Sequence, residues 1–178
     1  EVEMVVTLPK FVTLPDALLT RKEFCDMAVK GNAKRIEEVL GSMSMYSMED
    51  MVTETISIAL RQAADTDTFT GADLRVCKAL LTNGADASFM GHYDSGEEHG
   101  EVKPFEEVDD LSASPLHYAV KHGHDALATL LIQNKSNINA LEPTLGRTPL
   151  HFAAQYNKPK LAKLLVQKGA FVDAKDSN

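Results

Sequence analysis

Ser114-Pro115-Leu116-His117-Tyr118-Ala119-Val120 and Thr148-Pro149-Leu150-His151-Phe152-Ala153-Ala154 are two versions of one heptapeptide, set 34 residues apart. The offset continues downstream, where Leu130-Leu131 returns as Leu164-Leu165 and Asn139-Ala140 as Asp173-Ala174. A chain that keeps one period over several landmarks is built of stacked units, each too small to bury its apolar face alone.

Each unit reads as helix, turn, helix and extended finger. Ser114 or Thr148 supplies an N-cap hydroxyl, and the proline that follows fits the first helical position, where its missing N–H costs nothing. The first helix sets Leu and Ala on one face, small enough for close stacking, and Gly123-His124 breaks it. A second helix carries Leu127, Leu130 and Leu131 at i, i+3, i+4 spacing. In the last unit Gly169-Ala170 ends the matching helix, as a glycine just past a helix end does.

On these residues the chain resembles the ankyrin-repeat family, whose signature is T-P-L-H-x-A at a period near 33. Residues 148–153 match it fully, and residues 114–119 match it with Ser for Thr. Two weaker copies precede them. In the first, Gly31 aligns with Gly123, and Ile36, Val39 and Leu40 fall where second-helix apolar residues belong. In the second, Ala79-Leu80-Leu81-Thr82-Asn83-Gly84-Ala85-Asp86-Ala87 matches the segment from second helix to finger, with a first helix expected over 51–64. Aligning the turn at Gly31 with Ala72 gives a spacing of 41, so repeat two should carry about eight extra residues, some of them in 65–71. The expected fold is an all-α solenoid of stacked helix-turn-helix units with extended fingers. Its repeats span about 20–47, 48–88, 110–142 and 143–176 within an ankyrin-repeat domain of residues 20–178.

Two ends and one insertion depart from the family pattern. Val6-Thr7-Leu8-Pro9 and Val12-Thr13-Leu14-Pro15 echo each other, and both prolines turn the preceding residue away from helix. Residues 1–19 are therefore read as an extended segment that caps the first repeat; the sharper alternative is a strand that pairs with a partner. A solenoid needs a polar terminal cap, and no such cap is read after the helix pair with Leu161, Leu164, Leu165 and Val166. Further repeats or another domain are expected in a longer parent chain. From Gly84 to the equivalent Lys135 the distance is 51 residues, so about 17 extra ones lie within 88–113. This makes one long finger with an acidic insertion at about 89–109, and a loop of that length tends to be functional or mobile.

Composition sets the class. The 178 residues are 44% hydrophobic and 25% charged, the balance of a folded domain. No apolar run approaches the ~20 residues of a membrane span, and no basic region precedes an apolar core at the start, so neither membrane insertion nor a secretory signal is read. Two cysteines without a CxxC suit a reducing compartment, cytoplasmic or nuclear; a bacterial effector translocated into a host cell would look the same. The net charge of −8 is concentrated: Asp94, Glu97, Glu98, Glu101, Glu106, Glu107, Asp109 and Asp110 stand against Lys103 alone between His92 and Asp110. With no Lys/Arg cluster to meet phosphates, nucleic acid is not the expected partner.

No set of residues promises catalysis. His117 and His151 lack a nucleophile, and the resemblance makes them structural, bonding backbone and the neighbouring hydroxyl. Cys25, at the T-P-L-H histidine position of its repeat, and Cys77, beside Leu80-Leu81, read as buried small hydrophobes. His92, Asp94, Glu97, Glu98 and His99 could be metal ligands, but they form neither an HExxH pair nor a calcium loop, and a solvated charge run is the plainer reading. Met43, Met45, Met48 and Met51 surround the first finger and suit packing between repeats better than partner contact. Asn139 fills a finger position where asparagines of similar repeats can be hydroxylated. No enzyme activity, cofactor or metal is expected.

What the resemblance implies is protein binding through finger tips and exposed first-helix residues along a concave face. Mapped onto this chain, the first-helix candidates are Lys30, Arg61, Gln62, Lys121, His122, Gln155 and Tyr156, and the finger candidates are Asp110, Leu111, Ala113, Thr144, Leu145 and Arg147. Tyr156 and Arg147 lead, because aromatic and Arg side chains most often dominate interfaces. The partner is expected to be a protein, steered by the acidic finger if it carries a basic segment. The alternative is a regulatory or substrate-docking domain of a larger enzyme or translocated effector, with its chemistry outside this chain.

Overall fold

The computed structural model describes residues 11–14, 17–43, 49–90 and 113–177. It opens with an antiparallel hairpin, β1 (Phe11–Leu14) and β2 (Ala17–Thr20), in which Phe11 faces Thr20 and Leu14 faces Ala17. β2 runs directly into α1 (Arg21–Val29) and lies against it, while β1 approaches α2 (Ala33–Met43). Three more helix pairs follow among the described residues: α3 (Glu49–Ala64) with α4 (Gly71–Thr82), α5 (Pro115–His122) with α6 (Asp125–Gln133), and α7 (Pro149–Gln155) with α8 (Pro159–Gln167).

The pairs stack in two rows. First helices pack in the order α1, α3, α5, α7, and second helices in the order α2, α4, α6, α8. One apolar cluster runs between the rows, from Phe24, Ile36 and Leu40 through Leu60, Val76 and Leu80 to Leu116, Leu127, Leu131, Phe152, Leu161 and Leu165. Each fully buried Leu, Ile or Phe contributes roughly 1.5–3 kcal/mol relative to exposure. In the first-helix row Ala63, Ala119 and Ala153 are all buried at one repeat position, where a methyl lets successive helices approach closely. The tight connection between α5 and α6 needs the left-handed region: Gly123 has φ 83, and a Cβ there would stand 2.9 Å from the Lys158 ammonium. Asn157, φ 51, fills the same place in the last repeat, asparagine being among the residues that tolerate it.

Hydrogen bonds between neighbouring units fix the register of repeat two. Lys158, just before α8, donates to the carbonyl of His122 at 3.3 Å, and His124, just before α6, bonds the carbonyl of Thr66 at 2.7 Å. Since His124 and Lys158 are equivalent, so are Thr66, His122 and Tyr156, and one residue earlier Asp65, Lys121 and Gln155. Arg61 then takes the place of His117 and His151. Counted from the first helix, the turn position of Gly123 falls at Asp67. Counted back from the second helix it falls at Ala72, the match the sequence alignment gives, and a Cβ on Gly31 would meet Asp73 and Ala72 as one on Gly123 would meet Lys158. The surplus of this repeat lies in a 16-residue α3, in the connection 65–70, and in a 12-residue α4 that starts early on a Thr70–Asp73 capping box.

Residues 1–10, the acidic stretch 91–109 with its metal-ligand idea at His92 to His99, Met45 and Met48 lie outside the described residues, as do the side chains of Met43 and Met51.

Candidate functional site

The signature histidines join adjacent repeats. His117 Nδ1 accepts from the Ser114 N–H at 3.2 Å and faces its hydroxyl at 2.9 Å, which leaves the Nε2 proton to donate to the Arg147 carbonyl at 3.1 Å. Burial holds the His117 pKa down at about 4, against the pull of the Arg147 carbonyl bond and of Glu142, so the ring is neutral at ordinary pH. His151 repeats the local half of the arrangement, with Nδ1 3.0 Å from Thr148 N and 2.9 Å from its hydroxyl oxygen. In repeat two the same position holds Arg61, 2% exposed, whose Nε has no hydrogen-bond partner among the described residues. In repeat one it holds Cys25, buried like Cys77. Burial, and secondarily Asp73, pushes the Cys77 thiol up to about 12, which makes it a poor nucleophile.

The finger before α7 is built around a buried carboxylate. Glu142 closes a turn through its backbone, with its N–H on the Arg147 carbonyl and its own carbonyl accepting from Gly146. Its side chain accepts from the N–H groups of Thr144 (2.7 Å) and Leu145 (2.9 Å) and from Arg147 Nε (2.9 Å). Burial alone would raise the Glu142 pKa, but the bonds from Arg147, Leu145 and Thr144 outweigh it and hold the carboxyl below its ordinary value. Arg147 also reaches Gln155 Oε1 at 2.9 Å and lies 4.9 Å from the centre of the Phe152 ring.

Along the ends of the first helices run Asp65, then Lys121 and His122, then Gln155 and Tyr156. Asp65 carries Lys121 at 3.7 Å and His122 at 2.8 Å, so side chains of repeats two and three meet here. The fingers are tied in series: Ser88 Oγ accepts from Asn137 N, and Asn139 Oδ1 accepts from Phe171 N, each at 2.8 Å. Ser88 and Asn139 are equivalent positions doing one job, and Asn139 also donates to the Gly169 carbonyl at 3.3 Å.

Of the residues proposed for partner contact, Lys30, Thr144 and Gln155 are exposed, and Lys121, His122, Leu145, Arg147 and Tyr156 are half-buried. Arg61 and Ala113 require correction. Arg61 is one helical turn too early and points into the core, and Ala113, 0% exposed, is a methyl enclosed ahead of the Ser114 cap. Gln62 is half-buried but shares the misplaced register. Asp110 and Leu111 lie outside the described residues. Sequence reasoning missed Asp65, Thr66 and Asp67. The signal was present: Ala63-Ala64-Asp65 echoes Ala153-Ala154-Gln155.

At the far end of the stack Val166 is 45% exposed and Phe171 and Val172 65%. Val166 and Val172 are equivalent to Ile132 and Ile138 of the preceding unit, which pack against the core. Among the described residues no group of three or more His, Cys, Asp and Glu is disposed to hold a metal, and no helix is long and apolar enough to cross a membrane.

Comparison with curated proteins gives no match. The family model for ankyrin repeats (3 copies) matches residues 60–176, about two thirds of the chain. This span covers the histidine-tied units and the fingers just described. The chain belongs to the ankyrin-repeat family, a typically non-catalytic fold whose members are generally protein–protein interaction modules.

Proposed function

We propose that the chain recognises a segment of a partner protein on the surface formed by its first-helix ends and fingers, and so recruits or inhibits that partner. The carrying observation is positional. Lys121-His122 and Gln155-Tyr156 stand at one place on successive first helices, beside a finger held rigid by Glu142. A rigid wall loses little entropy on binding. Lys30 and the finger residues Thr144 and Leu145 extend the surface, and Asp65 and Thr66 replace Arg61 and Gln62 in it. Gln155 and Tyr156 are the residues on which binding should turn; Arg147 acts by holding the finger, since its guanidinium is already engaged by Glu142 and Gln155. The acidic stretch of the sequence favours a partner with a basic segment, which it would steer electrostatically.

The test is capture of partners by the purified chain, compared with a Gln155→Ala, Tyr156→Ala variant checked for native unfolding behaviour. Loss of a captured protein by the folded variant supports the reading. Retention moves recognition to another face. Association that does not slow with added salt would remove the steering role of the acidic stretch.

A further inference from the structure

His122 stands between two carboxylates of the connection that follows α3. Its Nε2 is 2.8 Å from Asp65 Oδ1 and its Nδ1 is 3.1 Å from Asp67 Oδ1. The Asp65 contact is a hydrogen bond, whereas the Asp67 contact is an ion pair by distance, which attracts only when the ring is charged; the carboxylates themselves supply no N–H. A neutral imidazole has one, and the imidazolium has two. The neutral ring can hold Asp65 alone, and only the imidazolium attracts both aspartates.

Among the described residues the other charged and titratable groups around it are Lys121, Lys158, His124 and, through His124, Asp73. Lys121, its neighbour on α5, lies 3.7 Å from the same Asp65 oxygen. Lys158, ahead of α8, donates to the His122 carbonyl, not to its ring. The His124 ring stacks on that of His122 at 5.5 Å and on Phe69 at 4.6 Å. Burial keeps His124 below the ordinary imidazole range; its bond to the Thr66 carbonyl and the charge of Asp73 oppose this, and His122 and Lys158 reinforce it. Of the stacked pair, His122 is the one that faces carboxylates.

We propose that His122 is a pH-sensitive clasp between repeats two and three. As the imidazolium it fastens the connection 65–70 to the end of α5; when the proton leaves, Asp67 is released. Asp65 keeps Lys121 and the one remaining N–H, whereas the Asp67 side chain is 95% exposed and is readily taken over by water. Protonated, Lys121, His122, Asp65 and Asp67 cancel in charge. Deprotonated, the group carries one net negative charge at the first-helix ends. Exposed ion pairs are individually weak, so what opens is a connection and not the fold. The proposal does not depend on what that surface binds.

Amide hydrogen exchange of residues 65–70, corrected for the intrinsic effect of pH, tests it between about pH 5 and 8, where imidazoles change charge. Protection in the wild-type chain should fall about threefold over that range, the size expected for a weak ion pair. Its midpoint should coincide with the titration of the His122 ring followed by NMR. His122→Gln and Asp67→Asn should each give a flat, low profile at 65–70, with the amides of α6 unchanged as a measure of intact folding. Constant wild-type protection, or a pH response that survives in His122→Gln, overturns the proposal. Should a variant not fold, the agreement or disagreement of the two wild-type midpoints decides.

Discussion

The ring of His117 and the backbone of Arg147, thirty residues further on, are joined by one hydrogen bond of 3.1 Å from Nε2 to the carbonyl oxygen. The ring thus ties the start of one repeat to the finger of the next, and it does so as the neutral tautomer.

That neutrality makes stability depend on pH. The His117 pKa is lowered to about 4 from 6.5, so below 6.5 the unfolded chain binds a proton that the folded one refuses. This lowers stability as pH falls from 6.5 to about 4, by about 3 kcal/mol in all, and adds nothing further below. Urea unfolding of wild type and His117→Gln at pH 7 and pH 4 checks it. The variant should be weaker at pH 7 and its loss on acidification smaller by roughly that amount.

Glu142→Gln should loosen the finger. The amide keeps the shape but removes the charge behind the bonds from Arg147, Thr144 and Leu145, a cost of about 2 kcal/mol at pH 7. Because the folded carboxyl has a depressed pKa, its contribution is present above the unfolded value and disappears as pH falls through the folded one. Denaturant midpoints of variant and wild type should therefore converge in acid.

Arg61→Met should not weaken the protein. The side chain is buried, and its Nε has no partner among the described residues, so an apolar chain of similar reach removes an unmet donor. The expected change in unfolding free energy is between zero and about 2 kcal/mol of stabilisation, read by urea denaturation. A loss beyond 1 kcal/mol would mean that Arg61 has a role of its own.

Cys77 should resist thiol reagents. With its pKa near 12, almost no thiolate exists at pH 8, and the sulfur is buried. Mass spectrometry after brief alkylation should find Cys77 unmodified in the native chain and modified in urea.

Fold and period were legible because they follow from local chemistry. Proline after a hydroxyl cap, alanine at the helix contact and glycine past a helix end each specify backbone without reference to distant residues. Repeat two was legible only in part. Its first helix runs on for 16 residues without a T-P-L-H to mark the frame, so the contact positions were read four residues early, at Arg61 and Gln62 instead of Asp65 and Thr66. Arg147 shows the other limit. Its type suggested an interface anchor, but its partners, Glu142 and Gln155, occupy most of what it could offer.

Sequence alone determined the repeat, its period and the helix ends, because these depend on contacts within three or four residues. Tertiary structure alone decided which side chains face a partner and which face a neighbouring repeat. That distinction rests on bonds such as His124 to Thr66, 58 residues apart, and His122 to Asp65, 57 apart, which no local pattern encodes.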